Sequence, residues 1–252
     1  MKLLKLSHPS KKIIGKIQVP GSKSESNRLL LLKYLYFPSL DIGRLSDSRD
    51  SIYMERGLNA KGHEINVGDA GTAMRFLTAF YSTQSGREVV LSGTERMHQR
   101  PIGILVDALR ILGANIQYLE NEGYPPLKIT GADLEGGVLE IDGSVSSQFI
   151  SALMMIGPGM KQGLQLKIKG FSVSTPYIYL TANLMKRMGF EVSVSGEEVT
   201  LKPLIPKAPT NFPVEPDWSA ASYWFLMALL AEKAEIYLPG FRQYSLQGDA
   251  FV

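Results

Sequence analysis

The order of hydrophobic and polar positions at the start of the chain predicts a strand, a turn and a helix. Residues 13–19 alternate between apolar and polar side chains, which is typical of a β-strand. Residues 29–36 are almost wholly apolar and predict a buried helix. Between them, residues 20–28 read Pro-Gly-Ser-Lys-Ser-Glu-Ser-Asn-Arg, and Ser24 or Ser26 is expected to cap the helix.

The same order of elements recurs along the chain, which indicates internal repeats. In the last three units the second helix start follows the first by 29 residues, whereas the first unit is shorter. First helices are expected to start at Ser24, Thr72, Ser147 and Asp217, and second helices near Asp47, Pro101, Pro176 and Leu246.

The ends of the second helices are also alike. An amphipathic helix tail leads to a glycine suited to the left-handed position after a helix (Gly62, Gly113 and Gly189), and an alternating strand follows. Units two and three continue with a turn and another strand. The pattern predicts three copies of strand-helix-strand-helix-strand-strand over about residues 17–206, the first lacking a hairpin.

These repeats predict an α/β (α+β) fold in which three βαβαββ units form a pseudo-threefold domain, with helices packed inside and sheets outside. We expect residues 20–212 to form this lobe. Residues 1–19 are expected to give a strand to an incomplete second lobe that resumes at residues 213–252. The apolar helix of that fourth unit carries Trp218 and Trp224, which are interpreted as core residues.

Composition narrows the classes of function. The chain has no cysteine, which excludes a disulfide scaffold, a thiol nucleophile and a thiolate metal site. The net charge of +3 is spread over dispersed lysines and arginines, which favours pockets for small anions over a nucleic-acid surface. No signal peptide and no apolar run of membrane-spanning length is present, so a soluble, cytoplasmic protein is expected. The histidines lack metal-ligand spacing.

Several expected helix starts carry cations. Lys23 and Arg28 lie at the start of the first helix, and Arg75 lies in the first turn of the next. The helix dipole makes a cation unfavourable there unless an anion binds, and Gly71 allows the backbone to approach such a ligand. The alternative for any one loop is a capped helix with solvated cations. Their recurrence at matching repeat positions favours one shared anion site.

Other helix starts add hydroxyl and amide groups. Ser146, Ser147 and Gln148 lie at the third start, and Ser174 precedes the fourth. Arg100 lies before a proline at a helix mouth, and arginine suits bidentate binding of carboxylate or phosphate. These groups predict a ligand that bears a phosphate, a carboxylate and hydroxyls.

In this combination and order the segments resemble the 5-enolpyruvylshikimate-3-phosphate synthase family, the 3-phosphoshikimate 1-carboxyvinyltransferases. The matching segments are 20–28, Ala-Gly-Thr-Ala-Met-Arg at 70–75, Arg-Pro-Ile-Gly at 100–103, Asp-Gly-Ser-Val-Ser-Ser-Gln at 142–148 and Pro-Tyr-Ile at 176–178. The resemblance implies an enolpyruvyl transferase-like fold of two three-repeat lobes that close on the substrates, of which this chain resembles the one that binds shikimate 3-phosphate.

The resemblance also implies the reaction. The enolpyruvyl group passes from phosphoenolpyruvate to the 5-hydroxyl of shikimate 3-phosphate, with release of phosphate and without metal or cofactor. This step belongs to the shikimate pathway, which leads through chorismate to the aromatic amino acids, and the family is the target of glyphosate. The implied partners are the two small-molecule substrates and the missing second lobe, with no nucleic acid and no membrane.

Site residues follow from the resemblance position by position. Shikimate 3-phosphate would be held by Lys23, Ser24, Arg28, Ser146, Ser147, Gln148, Ser174 and Tyr177. Phosphoenolpyruvate would be held by Lys23, Gly71, Arg100 and Gln148. The catalytic residues would be Lys23 and Gln148.

The chain departs from the family pattern at two positions. Asp69 stands where the family usually has Asn, and Phe76 where Pro is common. We expect Asp69 either to weaken anion binding or to accept a hydrogen bond from a hydroxyl instead, and Phe76 to alter the loop around Gly71 and with it inhibitor sensitivity. The second-lobe base and the remaining cations that bind phosphoenolpyruvate would lie beyond Val252, so the chain alone is expected to be inactive.

Two alternatives stay open at this point. One is the UDP-N-acetylglucosamine enolpyruvyl transferase, which shares the fold but commonly uses a loop cysteine. The other is a non-catalytic anion-binding module, or one that processes RNA ends, built on similar repeats.

Overall fold

The computed structural model of the chain describes residues 9–143, 146–170, 175–207 and 209–251. Within these ranges the strands are β1 Lys12–Lys16, β2 Glu64–Asn66, β3 Glu88–Ser92, β4 Asn115–Tyr118, β5 Leu127–Thr130, β6 Gly137–Asp142, β7 Leu164–Lys169, β8 Val192–Ser195, β9 Glu198–Leu201 and β10 Lys233–Tyr237. The helices are α1 Lys23–Tyr36, α2 Arg49–Asn59, α3 Gly71–Ser82, α4 Glu95–His98, α5 Gly103–Ile111, α6 Ser147–Ile156, α7 Thr175–Arg187 and α8 Trp218–Leu230, with short 3₁₀ turns at Gly157–Gly159 and Gly248–Phe251.

Two four-stranded sheets have the same topology. Their strand orders are β2-β3-β5-β4 and β6-β7-β9-β8. In each sheet the first two strands run parallel and the last two join antiparallel. A parallel pair needs a crossover, which α3 supplies in one sheet and α6 in the other. The predicted βαβαββ unit is therefore confirmed in the second and third repeats.

The first repeat is reduced to the helices α1 and α2. From its sequence, the strand after Gly62 was expected to correspond to the strands that follow the second helices of the other repeats. That assignment was wrong, because β2 pairs in parallel with β3, with Ile65 opposite Leu91, and so opens the sheet of the next repeat. The missing hairpin explains the difference, since no neighbouring strand of the first repeat is available there for pairing.

The core lies between the helices, with the sheets outside it. Every residue of α3 is buried, as are the leucines at 29–32 in α1. Strand β7 buries Leu164, Leu166 and Ile168 while the residues between them are more exposed. Such alternation is typical of a sheet with one face on the core and one in solvent. The predicted arrangement of inner helices and outer sheets is confirmed.

The helix caps differ from the prediction at several starts. Helix α1 begins at Lys23 and its cap is Ser22, so neither Ser24 nor Ser26 caps it. Helix α3 begins at Gly71 without a side-chain cap, so Thr72 lies inside the first turn, and α6 is capped by Ser146. Because the caps fall earlier than expected, the side chains of the first turn are available for other contacts. The cap at Asp217 is confirmed by its contact with the N–H of Ala220, at 3.0 Å.

The first described strand pairs with the last. Strands β1 and β10 form a parallel two-stranded sheet, in which Ile14 lies opposite Glu235. Helix α8 packs against β10 and buries only Ala221 fully. Trp218 and Trp224 are half-buried, so their interpretation as core residues was wrong. The division into lobes at residues 20 and 213 stays a prediction.

In the ranges that the structure describes, none of the helices combines the length and the apolar character needed to cross a lipid bilayer.

A buried carboxylate links α1 to the last forty residues of the chain. Glu25 is fully buried and accepts hydrogen bonds from the backbone N–H of Glu215 at 3.1 Å and from Nε2 of Gln247 at 3.4 Å. The carboxylate of Glu215 is also buried and accepts from Trp218 Nε1, Ser245 Oγ and the backbone N–H of residue 242. Burial, with the nearby Glu215 charge, raises the pKa of Glu25 above its usual value.

The free energy of unfolding of Glu25→Gln, relative to that of wild type, is therefore expected to rise with pH. A raised native pKa means that the folded state binds the proton more tightly, so this stability is present at low pH and is lost as the pH rises through the native pKa. Unfolding curves of both proteins between about pH 4 and pH 8 measure this. The advantage of the variant should grow with pH, and Glu55→Gln on the exposed face of α2 should give none. An advantage that does not change with pH would contradict the assignment.

Candidate functional site

The N-terminal ends of α1, α3 and α6 meet at one cavity of about 530 Å³. The residues predicted for shikimate 3-phosphate that line it are Lys23, Ser24, Arg28, Ser146, Ser147, Gln148 and Tyr177. Ser174 lies outside the described residues. The structure thus brings side chains from three repeats, far apart in sequence, around one hollow.

Arg28 is the buried cation of this cavity. Its side chain is 2% exposed, and it donates to Thr181 Oγ1 at 2.7 Å, to Ser151 Oγ at 2.9 Å and to the carbonyl oxygen of Ser24 at 3.0 Å. The guanidinium also lies 5.9 Å from the ring centre of Tyr177. Burial lowers the pKa of Arg28 to about 10, so it stays charged at neutral pH. Among the described residues no carboxylate forms an ion pair with it.

A second buried arginine orients Gln148. Arg75 Nη1 donates to Gln148 Oε1 at 3.0 Å and to the carbonyl oxygen of Gly71 at 3.0 Å, and Gln148 Nε2 lies 3.4 Å from Thr72 Oγ1. Burial, and then repulsion from Arg100, lowers the pKa of Arg75 to about 10. These contacts join α3 to α6. They orient the Gln148 amide so that its oxygen faces Arg75 and its nitrogen faces Thr72.

The rim of the cavity carries Lys23 and groups from the fourth unit. The Lys23 side chain is exposed, and its backbone N–H donates to Asp217 Oδ2 at 3.1 Å. Asp217, Ser219 and Tyr223 line the same cavity from the start of α8. From the sequence, Asp217 was expected only as a helix cap. Asp217 lies at the start of the first helix of its repeat, as several other site residues do, and this equivalent position could have indicated that it lines the cavity.

Arg100 lines a second, smaller cleft, and its guanidinium packs on Gly71. This cleft of about 310 Å³ is lined by Asp69, Arg96, Met97 and Arg100. The guanidinium of Arg100 packs so closely on Gly71 that a Cβ there would lie 2.6 Å from Cζ of Arg100. Arg75 connects residues of the two spaces, since its Nη1 donates both to the carbonyl oxygen of Gly71, on which Arg100 packs, and to Gln148 of the larger cavity. The single shared hollow expected from the sequence is therefore two adjoining clefts.

Further polar residues of the larger cavity were missed. Ser46, Asp47 and Ser48 line it from the segment that leads into α2. Asn27 also lines it although it is fully buried, and neither of its amide atoms has a hydrogen-bond partner among the described residues. Its position four residues after Lys23, on the same helical face, was the available signal. Thr72 lines the cavity as well, where a capping role was expected.

The two clefts together are suited to small anionic, hydroxylated ligands. The larger one combines buried Arg28, exposed Lys23 and several hydroxyl groups at helix N-termini, which favour negative charge. The smaller one offers two arginines beside the carboxylate of Asp69. In the described ranges, no group of three His, Asp or Glu side chains is arranged to hold a metal ion.

Comparisons with known proteins identify a family and several relatives of this chain. The sequence profile of the family "EPSP synthase (3-phosphoshikimate 1-carboxyvinyltransferase)" matches residues 44–252. The chain is 49% identical over 245 residues to a 3-phosphoshikimate 1-carboxyvinyltransferase of Bacteroides fragilis, covering 97% of this chain and 59% of the relative. It is 41% identical over 269 residues to the protein of that name from Aliivibrio fischeri, covering 96% of this chain and 63% of the relative.

A solved structure shows the same fold. The EPSP synthase of Acinetobacter baumannii superimposes with a TM-score of 0.77 at 21% identity, covering 92% of this chain and 56% of that one. The chain thus spans about three fifths of the length of the curated relatives it matches. With the family profile matched over most of its residues, the chain belongs to the EPSP synthase family.

Proposed function

We propose that this chain binds shikimate 3-phosphate in the larger cavity. We further propose that it forms part of an enzyme that transfers the enolpyruvyl group of phosphoenolpyruvate to the 5-hydroxyl of that substrate, releasing phosphate. The observation that carries the proposal is Arg28, a buried cation that faces a cavity lined by hydroxyls and has no ion-pair partner among the described residues. Such a charge is costly unless a ligand compensates it.

The proposal assigns roles to both clefts. The helix start at Ser146 and Ser147 would hold the phosphate, because it offers hydroxyl groups and backbone N–H groups to the cavity. Arg28 would bind shikimate 3-phosphate from the wall of the same cavity. Arg100 beside Gly71 would hold the carboxylate or phosphate of phosphoenolpyruvate. Lys23 at the rim and Gln148 between the clefts would bring the two anionic substrates together and stabilise charge in the transition state.

Titration calorimetry of the 252-residue chain tests the binding step. Shikimate 3-phosphate is expected to bind weakly, because the chain spans about three fifths of its relatives. UDP-N-acetylglucosamine and a 5′-phosphorylated oligonucleotide serve as competing ligands for the two alternative functions. Preferential binding of either one would overturn the proposal. The same preparation is expected to show no release of phosphate from the two substrates, and measurable turnover would contradict that part.

Gly71→Ala is expected to weaken binding of phosphoenolpyruvate without weakening binding of shikimate 3-phosphate. The added Cβ would displace the guanidinium of Arg100, a mobile group, so the free energy of unfolding should change by less than about 1 kcal/mol. Binding of phosphoenolpyruvate in the presence of shikimate 3-phosphate should weaken by about tenfold or more, because its cation is moved, while shikimate 3-phosphate binding alone should persist. Calorimetry measures both. Gly62→Ala, where a Cβ meets nothing within 4 Å, is the matched control.

The proposal includes a cytoplasmic location and binding of glyphosate at the cleft of Arg100. Asp69 lines that cleft, and a carboxylate there opposes an anionic ligand. Asp69→Asn is therefore expected to tighten phosphoenolpyruvate binding in the same titration, and unchanged affinity would show that the carboxylate faces away from the ligand.

A further inference from the structure

Arg28 is fixed by uncharged groups where a buried arginine usually meets a carboxylate. Its Nε donates to Thr181 Oγ1 at 2.7 Å and its Nη2 to Ser151 Oγ at 2.9 Å. Both hydroxyl side chains are fully buried, and their oxygens lie 2.9 Å apart. Two adjacent oxygens facing two N–H groups of one guanidinium resemble a bidentate carboxylate pair without its charge.

The direction of each hydrogen bond follows from the chemistry of the groups. Thr181 Oγ1 lies 2.8 Å from the carbonyl oxygen of Tyr177, which can only accept, so Thr181 donates its proton there. Thr181 Oγ1 then accepts from Arg28 and from the hydroxyl of Ser151. Ser151 in turn accepts from Arg28. In this arrangement both hydroxyl protons have an acceptor, and the hydrogen bonds fix the plane of the guanidinium.

We propose that Ser151 and Thr181 are positioning residues that aim Arg28 at the cavity without forming an ion pair with it, which leaves its positive charge available for an anionic group of the ligand. This inference rests on the proposed function, since it names what holds the cation of that site. Three of the five N–H groups of Arg28 are used by Thr181, Ser151 and the Ser24 carbonyl among the described contacts. Two are left for a ligand.

The two hydroxyl groups lie on helices that also supply other residues of the cavity. Ser151 belongs to α6, the helix whose start carries Ser147 and Gln148, and Thr181 belongs to α7, one turn after Tyr177. The pair therefore ties the cation of the first repeat to the helices that supply the rest of the cavity wall. A carboxylate in the same place would fix Arg28 equally well but would neutralise it, and an anionic ligand would lose its main attraction.

The first experiment needs no ligand. Hydrogen exchange of the Arg28 Nε–H, followed by NMR in the free chain, reports whether the hydroxyls hold the guanidinium. Thr181→Val is expected to accelerate exchange by about tenfold or more, and Thr181→Ser should restore the wild-type rate within about twofold. Thr78→Val is the matched control, because Thr78 is equally buried and bonds only to the Met74 carbonyl of its own helix. Unchanged exchange in Thr181→Val would overturn the proposal.

The second experiment tests the charge. Ser151→Asp places a carboxylate beside Arg28 and is expected to lower affinity for shikimate 3-phosphate about a hundredfold, whereas Ser151→Ala should lower it about tenfold. The melting temperature of Ser151→Asp should stay near that of Ser151→Ala, since its carboxylate is paired. Ser82→Asp, at a buried serine that donates to the Thr78 carbonyl, should melt much lower. Wild-type affinity in Ser151→Asp would overturn the proposal.

The two experiments also separate this inference from the proposed function. If the wild-type chain binds no shikimate 3-phosphate, the proposed function fails, and inorganic phosphate is titrated while the Arg28 Nε–H signal is followed. A phosphate-dependent shift that disappears in Ser151→Asp would support the positioning role. A signal that does not respond to phosphate in the wild-type chain would overturn it.

Discussion

Replacing Arg28 with methionine is expected to abolish binding of shikimate 3-phosphate while leaving the fold intact. The guanidinium supplies the buried cation of the cavity and has two N–H groups left for the ligand. Two charge-assisted hydrogen bonds correspond to about 3 kcal/mol or more, which is at least roughly a hundredfold in affinity. Methionine fills most of the same volume, and calorimetry of both chains measures the difference.

The free energy of unfolding of Arg28→Met is expected to stay near that of wild type, or to rise, even though ligand binding is lost. Removing half of a buried ion pair is strongly destabilising because the other charge stays behind, but Arg28 forms no such pair among the described residues. Ser151 and Thr181 keep their bond to each other. The free energy of unfolding should therefore stay within about 1 kcal/mol of wild type or rise.

Arg87→Met provides the control for this prediction. Arg87 is also a cation packed on an aromatic ring, that of Tyr81, but it lies outside the lining of both clefts. Its replacement should leave ligand affinity unchanged. If Arg28→Met and Arg87→Met weaken binding equally, or if Arg28→Met unfolds the chain, the cation has a structural role and the site assignment fails.

Repeat spacing predicted the fold because each repeat obeys the same local rules. The apolar helix run, the glycine after the second helix and the alternating strands are short-range signals, and they located the two complete sheets. The pairing of β2 with β3 was not predictable in the same way. Strand β2 joins β3 because the first repeat has no hairpin strand with which it could pair. The absence of that hairpin leaves no pattern in the residues around β2 from which the pairing could be predicted.

The site was predicted as a set of residues but not as a geometry. Helix starts at matching repeat positions identified Arg28, Ser147 and Gln148, which the structure brings to one cavity. The burial of Arg28 could not be predicted, because its guanidinium is held by Ser151 and Thr181 of the third repeat. Those contacts lie more than a hundred residues away in sequence, so no local spacing indicated them.

The helix caps lie one or two residues earlier than expected, so several side chains predicted as caps have other contacts instead. With Ser22 as the cap of α1, Ser24 is left to face the cavity instead of closing the helix. With α3 starting at Gly71, the backbone of that glycine packs on Arg100 and Thr72 turns toward Gln148. Serine and threonine have similar cap preferences at neighbouring positions, so sequence alone does not separate the cap from the ligand-facing hydroxyl.

The isolated chain is expected to self-associate through α8. This helix is apolar around its whole circumference, a pattern typical of buried helices, yet Tyr223, Leu226, Leu229 and Leu230 are between 52% and 82% exposed. Covering a leucine side chain is worth about 1.5–3 kcal/mol, so several together favour association at high concentration. Sedimentation equilibrium should give a weight-average mass that rises with concentration above the 27.8 kDa of one chain.

Charge on this helix should restore the monomer. The double variant Leu226→Glu with Leu230→Lys places opposite charges four residues apart on the exposed face, where the pair also favours the helix slightly. Its mass should stay at that of one chain over the same concentrations. Ile111→Lys, at a residue 71% exposed on α5, is the matched control and should associate like wild type. A wild-type chain that stays monomeric throughout, or a control that also dissociates, would show that α8 does not form the contact.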